Sequence, residues 1–280
     1  MSASVISSPS KDYIRERFFP HMWCAGCGHG IVLNSLLRAV ESLGLSKNEI
    51  VMVSGIGCSS RISGYVDFHS LHTIHGRALA FATGVKLSKP ELNVVVPMGD
   101  GDALSIGGNH FIHAARRNID ITVLVMNNRI YGMTGGQYSP LSGAGTKATT
   151  APYNNIDQAF DVVELSRAAG ATFVARTSVY HVRQMTELIK KAMNHCGFSV
   201  VDIMSQCPTY FGRKNKLGGA VEMMEYFRDQ TTAVGSKAKK ENPDLIERGI
   251  MVEKELPEYC EEYSKIIARA CPGQACPDAA

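Results

Sequence analysis

The sequence predicts an α/β protein built on a doubly wound, mostly parallel sheet. Short apolar segments rich in valine and isoleucine recur as far as residue 204, and segments with apolar residues at helical spacing separate them. This alternation is typical of parallel strands whose two faces are both covered by helices. A chain of 280 residues, 45% of them apolar, is long enough to bury a sizeable core around such a sheet.

Helices and strands are predicted in alternation along the chain. The predicted helices cover residues 31–43, 75–88, 103–117, 156–169 and 181–195. The predicted strands cover residues 49–54, 93–98, 121–126, 171–176 and 198–204. Residues 131–155 are rich in glycine and show no periodicity, and we expect a functional loop there because long structureless loops are uncommon in compact domains.

The organisation is predicted to change at residue 208. Beyond it we expect no strands, only helices separated by polar residues, with a last helix before the terminal ACPGQACPDAA. The prediction is a main domain over residues 1–207 and a helical C-terminal arm over residues 208–280.

The charge balance excludes several classes of partner. The 29 basic and 26 acidic residues give a net charge of +3, which is too small to indicate nucleic acid or an anionic membrane surface. The N-terminal residues contain no apolar core of signal-peptide length, and no apolar run approaches the roughly 18 residues of a membrane span. We therefore expect a cytoplasmic protein whose eight cysteines are mostly reduced thiols or metal ligands.

The strongest motif places Asp100 between two glycines directly after the strand at 93–98, with Asn127 and Asn128 after the strand at 121–126. Ligands of open α/β sheets bind at the carboxyl ends of strands, so these two strand ends can face one crevice. A carboxylate and an amide oxygen suit Mg²⁺, and the glycines let the backbone approach a pyrophosphate. A tight turn and a helix cap are the alternatives for either motif alone, but their combination favours a magnesium diphosphate site.

Four cysteines occur where the sheet topology could bring them together. Cys24 and Cys27 form a Cys-x-x-Cys pair, while Cys58 and Cys207 each follow the end of a predicted strand. Four thiolates suit a [4Fe–4S] cluster. Structural zinc is the main rival, although zinc sites usually take their ligands from two close pairs. A redox dithiol and a dinucleotide site are weaker alternatives, because the preceding strand and the third glycine that they need are missing.

The other four cysteines carry weaker signals. Cys196 and Cys260 are predicted to be ordinary thiols on helix faces. Cys271 and Cys276 lie near the terminus, where chains are usually poorly ordered, and we do not expect them to be ligands.

Taken in order, the motifs resemble the β subunit of the 2-oxoacid:ferredoxin oxidoreductases. The resemblance covers roughly residues 18–215 and rests on FPHMWCAGCGHG, GIGCSSR, HTIHGRALAFATGVKL, GDGDALSIGGNHFIHAARRNIDITVLVMNNRIYGMTGGQYSP and CPTYFGRKN. The last motif is most similar to the 2-oxoglutarate-specific members of that family.

The resemblance implies a thiamine diphosphate-binding fold with thiamine diphosphate, Mg²⁺ and a [4Fe–4S] cluster as cofactors. Asp100, Asn128 and the backbone carbonyl of Ile130 would hold the magnesium ion. The ligands of the cluster would be Cys24, Cys27, Cys58 and Cys207. The residues implied to surround the cofactors are Gly57, Cys58, His75, Gly99, Asp100, Gly101, Asp102, Asn128, Ile130, Gly132 and Thr134.

Two further groups follow from the resemblance. His75 and Arg77 would lie near the thiazolium and the substrate as catalytic residues; the alternative is a solvent-exposed pair at a helix N-terminus. Gly135, Gly136 and Gln137 would continue the loop after Thr134 and help to enclose the cofactor.

The implied reaction is the coenzyme A-dependent oxidative decarboxylation of 2-oxoglutarate to succinyl-CoA and CO2, or its reverse, with electrons passed to ferredoxin. Pyruvate and branched-chain or aryl 2-oxoacids are alternative substrates, and a zinc-stapled subunit without catalytic activity is the alternative of another class. In this family a glutamate from a different polypeptide activates thiamine, and no glutamate here stands in a matching motif. We therefore expect an α subunit, an α2β2 assembly and an inactive isolated chain, with residues 212–216 as a weaker candidate for ferredoxin docking.

Overall fold

The computed structural model describes residues 11–271. Within this range the strands are β1 (Ile50–Ser54), β2 (His69–His72), β3 (Asn93–Gly99), β4 (Thr122–Asn127), β5 (Ile130–Tyr131), β6 (Gln137–Tyr138), β7 (Phe173–Ser178), β8 (Ser199–Met204), β9 (Thr231–Ala233) and β10 (Ile246–Glu253). The α-helices are α1 (His29–Leu43), α2 (Ile62–Tyr65), α3 (Ala78–Ser88), α4 (Asp100–Leu104), α5 (Gly108–Arg117), α6 (Val162–Ala169), α7 (Val182–Asn194), α8 (Ala220–Asp229), α9 (Lys237–Glu241) and α10 (Tyr259–Ala270). None of these helices is long and apolar enough to cross a membrane.

Eight strands form one sheet in the order β2-β1-β3-β4-β8-β7-β10-β9, and β5 pairs with β6 in a separate hairpin. Neighbouring strands from β2 to β7 are parallel. The fold therefore confirms the predicted α/β class with a mostly parallel sheet.

The strand register determines which residues meet at the carboxyl edge of the sheet. Gly99 of β3 is level with Met126 of β4, and Asn127 at the end of β4 is level with Met204 of β8. Because these strands are parallel, the segments that follow them leave the sheet at the same edge.

The core lies on both faces of the sheet. One face packs against α1 and α7 through fully buried side chains such as Leu36 and Ile189. The other face packs against α3 and α5, where Phe111 meets Phe198 edge to face at 5.7 Å. Burying each large apolar side chain contributes roughly 1.5–3 kcal/mol, so both layers hold the strand ends in place.

Several predicted boundaries differ from the structure. The helix predicted over residues 103–117 is two helices, α4 and α5. The chain turns between them, and Gly107 passes so close to α4 that a Cβ atom there would lie 2.2 Å from the carbonyl oxygen of Asp102. The helix predicted over residues 156–169 begins at Val162, because Asp161 caps it by accepting hydrogen bonds from two backbone amides.

The prediction that strands stop near residue 208 is wrong. β10 pairs antiparallel with β7, and β9 pairs with β10, so the C-terminal extension completes one edge of the main sheet. The helices expected there are also present, including α10. Most residues of β10 are half-buried, which explains why the segment lacks the long apolar run of a central strand.

Candidate active site

A cavity of about 310 Å³ lies at the carboxyl edge of the sheet, beyond the ends of β1, β3 and β4. The residues from Gly57 to Thr134 that the resemblance implies to surround the cofactors all lie in the wall of this cavity, whereas Cys24, Cys27, Cys207 and the loop residues Gly135, Gly136 and Gln137 do not. The structure therefore brings together residues from four separate stretches of sequence: the loop after β1, the segment at His75, the start of α4 and the loop after β4.

Asp100 begins α4 immediately after β3 ends at Gly99. Its side chain is only 2% exposed, and its Oδ2 accepts a hydrogen bond of 2.5 Å from Ser139 Oγ. Burial raises the pKa of this carboxyl to about 6, against the lowering effect of the hydrogen bonds that it accepts. A bound cation would compensate the buried charge, which makes Asp100 suited to a metal ion.

The two asparagines after β4 lie in different surroundings. Asn128 lines the cavity, and its Oδ1 accepts a hydrogen bond from the backbone amide of Ile130 at 3.2 Å. Asn127 donates through Nδ2 to Asp202 Oδ1 at 3.2 Å, and Asp202 pairs with Arg176 at 2.7 Å. Of the two asparagines, Asn128 is therefore the one that lines the cavity.

Glycine is required where backbone and side chains approach most closely. A Cβ atom at Gly101 would lie 2.1 Å from the ring of Tyr131, and one at Gly99 would lie 3.0 Å from Ser59 Oγ. The wall around Asp100 therefore has no room for a side chain at Gly101, as the Gly-Asp-Gly motif predicts.

The predicted cysteines come from three segments. Cys27 donates its backbone N–H to the carbonyl of Cys24, which closes a tight turn, and Trp23 Nε1 donates to the carbonyl of Cys58 at 2.7 Å. A Cβ atom at Gly132 would lie 3.4 Å from the Cys58 sulfur and 3.8 Å from the Cys207 sulfur. Trp23 thus ties the cysteine turn to the loop after β1, and Gly132 lies against two of the thiols.

The thiols are close enough to influence each other's ionisation. Burial raises the pKa of Cys27 to about 12, and repulsion from Cys207, Cys58 and Cys24 adds to the effect. Burial likewise raises the pKa of Cys58 to about 11. Within residues 11–271, however, no three His, Cys, Asp or Glu side chains are arranged to hold a metal ion.

The other cysteines lie elsewhere. Cys260 is buried on α10, as predicted, whereas Cys196 is exposed just beyond the end of α7 rather than on its face. Cys271 is exposed, and Cys276 lies outside the described residues.

His75 is held by a buried carboxylate. Its Nδ1 lies 2.9 Å from Asp102 Oδ1 and 3.2 Å from the carbonyl oxygen of Ile56. The hydrogen bond to Asp102 raises the pKa of His75, although partial burial opposes the rise. Arg77 differs from expectation: its guanidinium donates to the carbonyls of Ile106 and Gly76, and it is not part of the cavity wall.

The loop after β4 closes one side of the cavity. β5 and β6 form a short hairpin in which Thr134 Oγ1 donates to Gln137 Oε1 at 2.6 Å. Gly135 and Gly136 both have positive φ angles, which allows the tight reversal at the hairpin tip.

Sequence reasoning missed several residues of the wall, among them His29 and Tyr131. His29 is fully buried at the start of α1, and burial lowers its pKa to about 4, so it is neutral at pH 7. Its position two residues after the Cys-x-x-Cys pair was the available signal.

A Gly-Asp-Gly strand end facing an asparagine across one crevice defines the class: this is a thiamine diphosphate enzyme fold. The sequence matches the family described as thiamine pyrophosphate enzyme, C-terminal TPP binding domain, over residues 55–203. The chain belongs, more particularly, to the β subunits of the 2-oxoacid:ferredoxin oxidoreductases, as the following similarities show.

The 2-oxoglutarate synthase subunit KorB of Methanothermobacter marburgensis is 51% identical over 268 residues, covering 94% of each chain. The corresponding subunit of Archaeoglobus fulgidus is 48% identical over 260 residues, covering 91% of this chain and 93% of its own. A solved structure of the 2-oxoglutarate:ferredoxin oxidoreductase from Magnetococcus marinus, with 2-oxoglutarate, coenzyme A and succinyl-CoA bound, superimposes with a TM-score of 0.86 at 36% identity, covering 98% of this chain and 94% of that one. The family predicted from the motifs is confirmed.

Proposed function

We propose that this chain is the catalytic β subunit of an enzyme that converts 2-oxoglutarate and coenzyme A to succinyl-CoA and CO2, or runs the reverse reaction, and exchanges electrons with ferredoxin. In the forward direction the bond between the keto carbon and the 1-carboxylate breaks, and CO2 leaves. The two electrons of that bond pass one at a time to ferredoxin. The acyl carbon then forms a C–S bond with coenzyme A, whose thiol releases its proton.

One observation carries the proposal: the cavity and the thiols share a wall. Cys58 and Gly132 line the same cavity as Asp100 and Asn128. Gly132 also lies against the Cys58 and Cys207 sulfurs. A redox centre held by these thiols would adjoin a cofactor in the cavity without an intervening layer of protein.

The residues present fit a magnesium diphosphate. Asp100, Asn128 and the carbonyl of Ile130 would hold the ion, because a buried carboxylate needs a compensating cation and Mg²⁺ prefers oxygen ligands. Gly99 and Gly101 let the backbone approach the diphosphate.

The chemistry of the four thiols suits a [4Fe–4S] cluster, although their present arrangement is not that of a ligand set. Cys24, Cys27, Cys58 and Cys207 would be its ligands, since Fe–S clusters are held by four cysteine thiolates. Cys27 and Cys58 resist ionisation as free thiols because they are buried near one another, and iron would supply the positive charge that stabilises their thiolates.

Thiamine diphosphate, when bound, would supply the nucleophilic carbon for the keto group and an electron sink for the decarboxylation. The chain's own residues orient the substrate and enclose the cavity. His75 presents an imidazole to the cavity, and the hairpin at Thr134 limits the access of water. Arg77 supports this wall from behind, through its bond to the carbonyl of Ile106.

The partners follow from the site and from the relatives. The names of the relatives and the ligands of the Magnetococcus marinus structure favour 2-oxoglutarate and coenzyme A over other 2-oxoacids. Ile56 and Met133 line the cavity yet remain 40% exposed, which supports an α subunit that covers them in an α2β2 assembly. Arg213 and Lys216 are exposed and follow Cys207 closely in the sequence, and they would face the acidic surface of ferredoxin. A cytoplasmic location would keep the thiols reduced.

The test is made on the chain purified with its α subunit in the absence of oxygen. Iron, sulfide, zinc and thiamine are measured, and electron paramagnetic resonance spectra are recorded after adding 2-oxoglutarate and coenzyme A. We expect bound thiamine and about four iron atoms for the four predicted cysteine ligands of each β chain. We also expect a cluster signal that appears when substrate is added.

Two variants separate the sites. Cys58→Ser should lose iron and keep thiamine, whereas Asp100→Ala should lose thiamine and keep iron. Cys196→Ser, at an exposed thiol outside the set, is the matched control and should change neither.

Zinc in place of iron, with no bound thiamine, would instead indicate the zinc-stapled binding subunit. Iron and thiamine without a substrate signal would point to another 2-oxoacid.

A further inference from the structure

Asp102 is a buried carboxylate whose hydrogen bonds converge on the segment that carries His75. Its side chain is 2% exposed. Its Oδ1 lies 2.9 Å from His75 Nδ1 and accepts the backbone N–H of Gly76 at 2.7 Å, with a longer bond of 3.4 Å from the amide of Ile56. Although Asp102 follows Asp100 by only two residues, it therefore contacts different elements.

The geometry determines which nitrogen of His75 carries the proton. Nδ1 faces two acceptors, the Oδ1 of Asp102 and the carbonyl oxygen of Ile56. Neither acceptor can donate a hydrogen bond while Asp102 is ionised, so Nδ1 must be the protonated nitrogen. Nε2 is then the nitrogen that gains or loses a proton, and the imidazole lines the cavity.

We propose that Asp102 is a positioning residue: its carboxylate holds the Nδ1–H of His75, so that Nε2 faces the cavity and, when the ring is protonated, donates its hydrogen to the keto oxygen of the bound 2-oxoacid. This inference rests on the proposed function. Negative charge develops on that oxygen when the keto carbon is attacked, and a preorganised donor stabilises it.

Close packing around Asp102 shows that its place is tightly constrained. A Cβ atom at Gly55 would lie 2.3 Å from Asp102 Oδ2, and one at Gly107 would lie 2.2 Å from its carbonyl oxygen. Oδ2 is buried and has no hydrogen-bond partner. Among residues 11–271, the imidazole of His75 is the basic group that lies within ion-pair distance of this carboxylate.

The groups that face His75 act in opposite directions. Asp102, from α4, favours the imidazolium through its hydrogen bond and its charge, while partial burial and the nearby Arg77 disfavour it. Tyr131, from β5, meets the ring edge to face at 5.9 Å. On balance the pKa of His75 is raised, with the hydrogen bond to Asp102 as the largest cause.

The first test uses nuclear magnetic resonance of the full chain labelled with ¹⁵N-histidine, with His75→Gln to assign the signal. We expect Nδ1 of His75 to stay protonated across the titration while Nε2 titrates. In Asp102→Asn the midpoint of this titration should fall by about 1–3 pH units, since the neighbouring negative charge is gone. Asp67→Asn, which removes an exposed charge beside Lys47, is the matched control and should not move it.

The second test measures kcat/KM for 2-oxoglutarate against pH in the complete enzyme, with thiamine and iron contents determined in parallel. The alkaline limb of the profile should move to lower pH in Asp102→Asn, in the same direction as the midpoint. A purely structural role would lower activity equally at every pH.

The inference is overturned if the wild-type imidazole carries its neutral-state proton on Nε2, a result that needs no variant to fold. It is also overturned if Asp102→Asn leaves the titration midpoint or the alkaline limb in place. Failure of the proposed function would give a different result, because the wild-type complex would then turn over no 2-oxoacid. The resonance experiment would still show whether Asp102 controls the protonation of His75.

Discussion

At the scale of single residues, the cavity depends on the absence of a side chain at Gly101. A Cβ atom there would overlap the Tyr131 ring, which lines the cavity. Gly101→Ala should displace the ring and weaken thiamine diphosphate binding by at least about tenfold, because overpacking typically costs about 1–3 kcal/mol. Isothermal titration with the magnesium cofactor measures the change.

Gly84→Ala is the control for this substitution. Gly84 lies in α3, and a Cβ atom there meets no atom within 4 Å. The control should bind the cofactor normally and unfold at slightly higher denaturant concentration, since alanine favours helix. Equal cofactor affinity in both variants would show that the contact with Tyr131 is unimportant.

His181, which precedes α7, makes stability depend on pH. Burial, with the nearby Arg248, lowers the pKa of His181 to about 4. The unfolded chain takes up this proton near pH 6.5 and the folded chain only near pH 4, so the free energy of unfolding should fall as the pH drops between these values. His181→Gln should make this fall shallower in urea titrations at about pH 7 and about pH 5, and an unchanged slope would contradict the assignment.

At the scale of secondary-structure elements, Asn118 joins three parts of the fold. It ends α5 in the left-handed conformation, with φ of 52°. Its Nδ2 donates to the carbonyls of Leu256 and Pro257, and its Oδ1 accepts from Thr172 Oγ1 and the backbone amide of Phe198. The C-terminal segment is thereby fixed to the core of the sheet.

Asn118→Ala should lower the free energy of unfolding by about 2–4 kcal/mol, because it leaves buried groups without partners and places alanine in a left-handed conformation. Asn118→Gly should recover about 1 kcal/mol of that loss, since glycine tolerates the backbone. Denaturant unfolding of both variants, with Asn194→Ala on the exposed end of α7 as control, separates the side chain from the backbone. Equal losses in the two variants would mean that the backbone conformation contributes nothing.

Burial explains which elements could be predicted. Every residue of β8 and the interior residues of β3 and β4 are buried, so these strands appear in the sequence as mainly apolar segments. β2 is exposed along its whole length and β10 is mostly half-buried, so neither gives such a segment. They form because the neighbouring strands β1 and β7 offer unpaired edges, a tertiary effect that no local pattern records.

The same distinction applies to the site. Asp100 and Asn128 were predictable because each follows a strand, and parallel strands end at one edge. The contacts of Ser139 with Asp100 and of Asp102 with His75 join segments that are distant in the sequence, through irregular loops. No spacing rule predicts such contacts, since they depend on how the loops pack.

At the scale of the whole molecule, the cavity contains two acidic side chains, Asp100 and Asp102, and no glutamate among the described residues of its wall. We predict that the isolated chain, supplied with thiamine diphosphate, Mg²⁺, 2-oxoglutarate and coenzyme A, does not reduce ferredoxin. The α subunit should restore activity by supplying the missing carboxylate. Turnover by the isolated chain in a dye-reduction assay would refute the requirement.

The asparagine doublet after β4 gives two identical neighbouring residues unrelated structural roles. Asn128 lines the cavity, while Asn127 bonds to Asp202 beside Arg176. A saturation screen of both codons should therefore give two tolerance profiles: substitutions of Asn128 should abolish enzyme output while leaving abundance intact, and substitutions of Asn127 should first reduce abundance. Two neighbouring codons for the same amino acid would thus report on catalysis and on folding separately.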